Sequence, residues 1–159
     1  PLDLEAGRAL GRVGDLAEPT SLGAFAEALA AAFPPTAAGV RVAGGREALV
    51  QRVAVVGGSG DDRFEAVRRC GADVYVTADL RHHPASEARE QARGGPPYLI
   101  DAGHFATEWP WLAGAAERLR QGLVAGLAGD STVETYISTV RTDPWDFVVG
   151  ANADGGAPC

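Results

Sequence analysis

Methionine is absent from the sequence, only two cysteines occur, and basic side chains are outnumbered, with 14 Lys and Arg against 21 Asp and Glu. Each shortage excludes something. A formal net charge of −7 and a pI of about 4.9 leave no surplus of positive charge for a polyanion, so a nucleic-acid partner is not expected. Cys70 and Cys159 are too few for a disulfide framework, and a cytoplasmic location is the default expectation. Cys70, in "RRCGAD", reads as a small core residue near a helix end. No run of about 18 apolar residues is present and no charged-then-apolar leader is visible, so no membrane partner is expected. A chain that opens on Pro1 and contains no Met also reads as a piece of a longer protein.

What is present suits one globular domain. Hydrophobic residues make up 46% and charged residues 22% of 159 positions, enough for a sizeable core and too apolar for bulk disorder. Residues 1–19, rich in Gly, Pro and Asp, read as a lead-in linker. Leu22, Phe25, Ala26, Leu29 and Phe33 recur at helical spacing, with Thr20 or Ser21 as cap and Pro34-Pro35 as stop. From there strands alternate with helices: "GVRVAG" and "VQRVAVVGGSG" as strands, "DDRFEAVRRC" as a helix, "ADVYVTAD" (72–79) as a strand, and a helix over 84–93. "PPYLIDAG" follows as a strand, "TEWPWLAGAAERLRQGLVAGL" as one long helix and "TVETYISTV" as a last strand, while 151–159 reads as a disordered tail. The pattern predicts an α/β layered domain over residues 20–150, with a mixed or mostly parallel sheet covered by helices.

Polar residues collect at the ends of three of these strands. If the strands are parallel, those ends lie along one sheet edge, where open α/β folds bind ligands. The first ending is "VVGGSGDD" (55–62), where backbone N–H groups of Gly57, Gly58, Ser59 and Gly60 are candidates to meet an anion or cofactor. It lacks the Lys-Ser/Thr of a P-loop, and Arg63 stands where a dinucleotide fingerprint needs its third Gly. A plain strand-to-helix turn explains it equally well. The second is "TADLRHHPA" (77–85), with Asp79 at the strand end and His82 and His83 following. Imidazole is a common metal ligand and proton carrier, although a solvated loop accounts for the pair too.

The third ending is "YLIDAGHFATEWPW" (98–111), where His104 and Glu108 stand four apart and share a face once helical geometry begins. A His with a carboxylate suits Zn, Mn or Fe(II). Taken singly, His104 also reads as a hydrogen-bonded core histidine. Glu108, preceded by Thr107, also reads as an acidic residue in a first helical turn. Two ligands do not close a metal site, which takes three or four. Trp109 and Trp111 around Pro110 read as packing residues.

At these residues the sequence resembles the NIF-three-like family of dinuclear-metal proteins. That family includes the YbgI type and is often labelled a GTP cyclohydrolase type 2 homologue. The resemblance is carried by "GRVGDLAEPTSLGAFAEAL", "VQRVAVVGGSG", "GADVYVTADLRHHPASEA", "YLIDAGHFATEWPWL" and "YISTVRTDPWDFV". It implies that His104 and Glu108 are metal ligands and that Asp79 and His83 line the same cavity in catalytic roles, His83 as a proton shuttle. It also implies that Gly57 to Gly60 border the cleft and that Asp101 supports the ligands. The expected cofactor is a pair of divalent ions (Zn, Mn or Fe), the expected substrate a small molecule of nucleotide type, and the expected assembly a hexameric ring. A His-His pair and an Asp that complete the family's ligand set have no counterpart here. The resemblance therefore covers a C-terminal half, expected to bind the dinuclear centre weakly and to be inactive alone. A non-enzymatic metal-binding scaffold, acting through assembly and partner contacts, is the alternative from another class.

Overall fold

A computed structural model describes residues 1–5, 7–126 and 133–150. Three strands sit where the linker was expected: β1 (Asp3–Glu5), β2 (Arg8–Leu10) and β3 (Arg12–Ser21). The first two form a small antiparallel ribbon, and β3 is an edge strand of the main sheet. Its register slips between Asp15 and Thr20, and most of its side chains face water. An irregular, exposed edge shows no alternation, so periodicity had no means of revealing it.

Ser21 then caps α1 (Leu22–Ala32), its hydroxyl accepting the Ala24 N–H at 3.2 Å. The remaining elements are β4 (Arg41–Ala43), β5 (Leu49–Ser59), α2 (Phe64–Arg69), β6 (Val74–Ala78), α3 (His82–Ala92), β7 (Tyr98–Asp101), α4 (His104–Glu108) and α5 (Trp111–Gly126). The helix expected from Pro84 begins two residues earlier, which puts His82 and His83 in its first turn. The long helix expected from Thr107 is two helices, broken beside Pro110, whose ring cannot donate to the preceding turn. Residues 133–140 carry no strand. "TVETYISTV" has β-branched composition, but a strand exists only where another strand pairs with it. The expected tail at 151–159 lies outside the described residues.

The five-stranded sheet runs β3-β5-β6-β7-β4. The middle three strands are mutually parallel, and β3 and β4 close the edges antiparallel. The strand β6 is central and all five of its residues are buried, as a parallel strand covered on both faces requires. Alternation then sorts the core into two layers. Ala54, Val56, Tyr75 and Leu99 face α2 and α3 with Phe64, Val67 and Ala88. Val50, Val74, Val76 and Ile100 face α1 with Leu22 and Ala26. Each buried Val, Leu or Ile side chain contributes about 1.5–3 kcal/mol relative to exposure. Because Ser59 registers with Ala78 and Thr77 with Asp101, the three polar endings do fall along one edge.

Candidate metal centre

The centre is assembled from the segments that leave β5, β6 and β7. Beyond β6 the chain turns at Asp79, whose φ of +53° is left-handed, a conformation Asp tolerates better than most residues. Beyond β7 it turns at Gly103, with φ +78° and ψ 146°, where a side chain would be strained. Helix α4 begins directly after it. The two turns bring His104 Nδ1 to 2.6 Å from Asp79 Oδ2. One helical turn on, Glu108 Oε1 lies 3.2 Å from His104 Nε2. All three side chains are about half exposed, so the pair opens to solvent.

The glycine turn supplies the wall. A Cβ on Gly58 would lie 2.8 Å from Glu108 Oε1 and 3.2 Å from His104 Nε2, and its φ is +71°. Its N–H donates to Thr107 Oγ1 at 2.9 Å, and its carbonyl accepts from Thr77 Oγ1 at 3.0 Å. Gly60 donates to the Ala78 carbonyl at 3.4 Å. Its own carbonyl takes the Tyr75 hydroxyl at 2.8 Å. A Cβ on Gly57 would meet the Thr107 carbonyl at 3.1 Å. The N–H groups of Gly58 and Gly60, read from sequence as candidates for an anion, are thus taken up inside the protein. What glycine provides here is close approach of β5 to α4. Burial, acting against ionisation, pushes the Tyr75 phenol up to about 12, so it serves as a neutral donor.

Electrostatics follow from the Asp79–His104 bond. It is the main reason the His104 imidazole titrates above its ordinary range, against a smaller opposing effect of burial and with added help from Glu108. When the ring is neutral, the carboxylate at Nδ1 holds the proton there and leaves the Nε2 lone pair beside Glu108. Carboxylates that bond the far ring nitrogen orient metal-binding histidines in the same way. Nε2 and Glu108 Oε1 therefore fit one side of a divalent ion. Asp79 bonds the other ring nitrogen and faces away from that point. Consistent with this, no group of three or more His, Cys, Asp or Glu able to hold a metal ion is present among the described residues.

His83 is not brought into this arrangement. It stands exposed in the first turn of α3, its ring edge-on to His82 with centroids 5.4 Å apart, and no hydrogen bond joins it to Asp79, His104 or Glu108. Ser59 is exposed and likewise makes no side-chain contact with the pair. Trp109 packs on Phe105, whereas Trp111 is largely exposed. The cleft in front of the pair has a volume of about 1990 Å³ and is bordered by Asp79, Asp101, Arg41 and residues of 134–148. Sequence reasoning missed Thr107, Thr77 and Arg41. Thr107 was findable, since it shares the His104–Glu108 helix face. Arg41, 60 positions from Asp101, offered no local signal.

A mixed, mainly parallel sheet with a carboxylate-oriented histidine at its carboxyl edge defines an α/β domain with an open, largely apolar cleft that carries a few ionisable groups. Residues 3–144 match the Duf34/NIF3 (NGG1p interacting factor 3) family, and the chain belongs to that family. It is 46% identical over 145 residues to a Streptomyces coelicolor protein named GTP cyclohydrolase 1 type 2 homolog, covering 91% of this chain and 49% of the relative. The fold superposes on a Bacillus cereus protein related to NIF3 with a TM-score of 0.70 and 31% identity, covering 88% of this chain and 36% of that one. A Staphylococcus aureus hypothetical protein gives a TM-score of 0.71 at 27% identity, with 87% and 43% covered. The chain spans about half the length of the Streptomyces relative.

Proposed function

We propose that this chain is the C-terminal domain of a dinuclear, metal-dependent hydrolase-like protein, in which His104 and Glu108 supply two of the ligands. The observation that carries the reading is the Asp79–His104 bond of 2.6 Å, which turns Nε2 toward Glu108 Oε1 at 3.2 Å. In this reading the remaining ligands come from outside the chain, since a Zn, Mn or Fe(II) site takes at least one more donor. Bound metal supplies Lewis acidity and brings the pKa of a coordinated water to about 7. The chain's own residues orient the ligands: Asp79 fixes the imidazole tautomer, Gly58 and Thr107 hold α4 against β5, and Asp101 and Arg41 line the approach. His83 is assigned no step, because no hydrogen bond joins its ring to the pair and it does not border the cleft. The name borne by the Streptomyces relative suggests a purine-nucleotide substrate and ring-opening hydrolysis, and the intact protein is proposed to be a cytoplasmic hexamer.

A second reading, a metal-binding scaffold, is favoured by exposed apolar side chains beyond α4. Trp111, Tyr136, Trp145 and Phe147 are 65%, 86%, 65% and 78% exposed, which suits contacts with other chains or domains. One experiment separates the two. The full-length protein is loaded with Zn, Mn or Fe(II) and assayed against a panel of purine nucleotides, beside His104→Ala and Glu108→Ala. Metal-dependent turnover lost in both variants supports the hydrolase. Metal uptake with intact assembly and no turnover supports the scaffold. Full metal content in both variants overturns the ligand assignment.

A further inference from the structure

We infer that Asp101 is a positioning residue for His104: its carboxylate ties together the two turns that bring Asp79 and His104 into contact. The inference deepens the metal-centre reading and rests on it for its purpose, though not for its geometry. The Asp101 side chain is only 7% exposed. Its Oδ2 accepts the Leu80 N–H at 3.0 Å and the Arg41 guanidinium at 2.5 Å, and its Oδ1 accepts the Gly103 N–H at 3.2 Å. Leu80 directly follows Asp79, and Gly103 directly precedes His104. One buried carboxylate therefore grips the amide of the residue next to each member of the Asp79–His104 pair. The β6–β7 register ends at Thr77 and Asp101, followed by the Ala102 N–H to Thr77 carbonyl bond at 3.0 Å. Past that point, Asp101 links the two turns through the Leu80 and Gly103 amides, beside the Asp79–His104 bond itself.

Two features make this more than packing. Asp79 has a left-handed backbone, which a non-glycine residue keeps only when its surroundings enforce it. The Leu80 bond to Asp101 is that enforcement. Arg41, paired with Asp101 across β4 and β7, supplies the charge that makes a buried carboxylate tolerable. With three donors on its two oxygens, Asp101 is engaged inward. It acts through Asp79 and His104 rather than on a ligand.

The test reads the His104 tautomer in the metal-free full chain, labelled with 15N-histidine and held at alkaline pH, where the imidazole is neutral. The chain has 3 histidines, so resonances are assignable by His82→Gln and His83→Gln. Wild type is expected to show His104 as the Nδ1–H tautomer, and Asp79→Asn to lose that preference. Asp101→Asn, which replaces an acceptor with a donor, is expected to lose it as fully as Asp79→Asn and to weaken zinc uptake by about 10–100-fold in the full-length protein. A folded Asp101→Asn that keeps the Nδ1–H tautomer overturns the inference. If Asp101→Asn does not fold, Arg41→Gln decides: a partial tautomer shift supports the inference and an unchanged one overturns it. A wild-type protein that takes up no zinc defeats the metal reading alone, since the tautomer readout stands without it.

Discussion

Each edge of the three parallel strands carries an aspartate that binds two backbone amides, yet only one edge gathers a histidine and two carboxylates. At the amino edge Asp73 Oδ2 accepts from Gln51 N–H at 2.9 Å and Arg52 N–H at 2.8 Å, stapling the start of β6 to β5. At the carboxyl edge Asp101 accepts from Leu80 and Gly103, stapling the end of β7 to β6. Around Asp73 the neighbours complete backbone ladders, through Asp73 N–H to Arg52 and Tyr98 N–H to Asp73. The nearby Arg52–Asp15 pair is exposed and satisfied by itself. Around Asp101 the chain instead turns into a helix start and a strained residue, and those turns deliver a histidine and two carboxylates to one place. The same local device joins strand to strand where they begin and joins two turns carrying ionisable side chains where they end, because helices of parallel sheets start at the carboxyl edge.

The largest effects separate the edges outright. His104→Ala and Glu108→Ala are expected to abolish most divalent-metal uptake with little change in melting temperature, since both side chains are half exposed. Asp73→Ala is expected to leave uptake intact while lowering stability by about 1–2 kcal/mol, from two amides left without their acceptor. Metal analysis beside chemical denaturation checks both, and equal loss of metal in Asp73→Ala would erase the distinction.

Two glycines refine it. Gly58 and Gly71 both have positive φ, +71° and +67°, but a Cβ on Gly58 strikes Glu108 and His104, whereas one on Gly71 meets nothing within 4 Å. Each alanine variant is expected to cost about 1–2 kcal/mol of backbone strain. Only Gly58→Ala is expected also to weaken metal uptake, as measured by calorimetric titration of the full-length protein.

Proton linkage gives a smaller effect. The folded His104 titrates above the ordinary imidazole range, chiefly through its bond to Asp79. Its contribution is therefore complete below the unfolded value and lost as pH rises through the raised folded one. In the metal-free chain, Asp79→Asn is expected to be less stable than wild type below the ordinary imidazole range, with the gap closing as pH rises through the raised folded value. A gap that widened with pH would contradict the bond. The smallest expected effect is that of Arg52→Gln at the amino edge, where an exposed pair leaves no measurable change in the denaturation midpoint.

Much of this comparison was legible in the residues. The β-branched runs ending in "GGSG", "TAD" and "IDAG" announced parallel strands with a shared edge, and the four-residue spacing of His104 and Glu108 announced a common helix face. The strand β3 was not legible, because its exposed, bulged edge follows no period. Nor was the absence of a strand at 133–140, because composition there says what fits a sheet and not whether a partner is present.

By itself the sequence determined the alternation of helices and strands between Leu22 and Asp101, the capped α1, the polar strand ends and the family. Those depend on neighbours within a few residues, where periodicity and turn chemistry act. Only the tertiary structure decided that Asp79 meets the Nδ1 side of His104, that Gly58 walls the pair, that His83 stands apart, and that Arg41 balances Asp101. Those choices join residues 25 to 60 positions apart, and strand register and turn geometry, rather than any local pattern, set which of them touch.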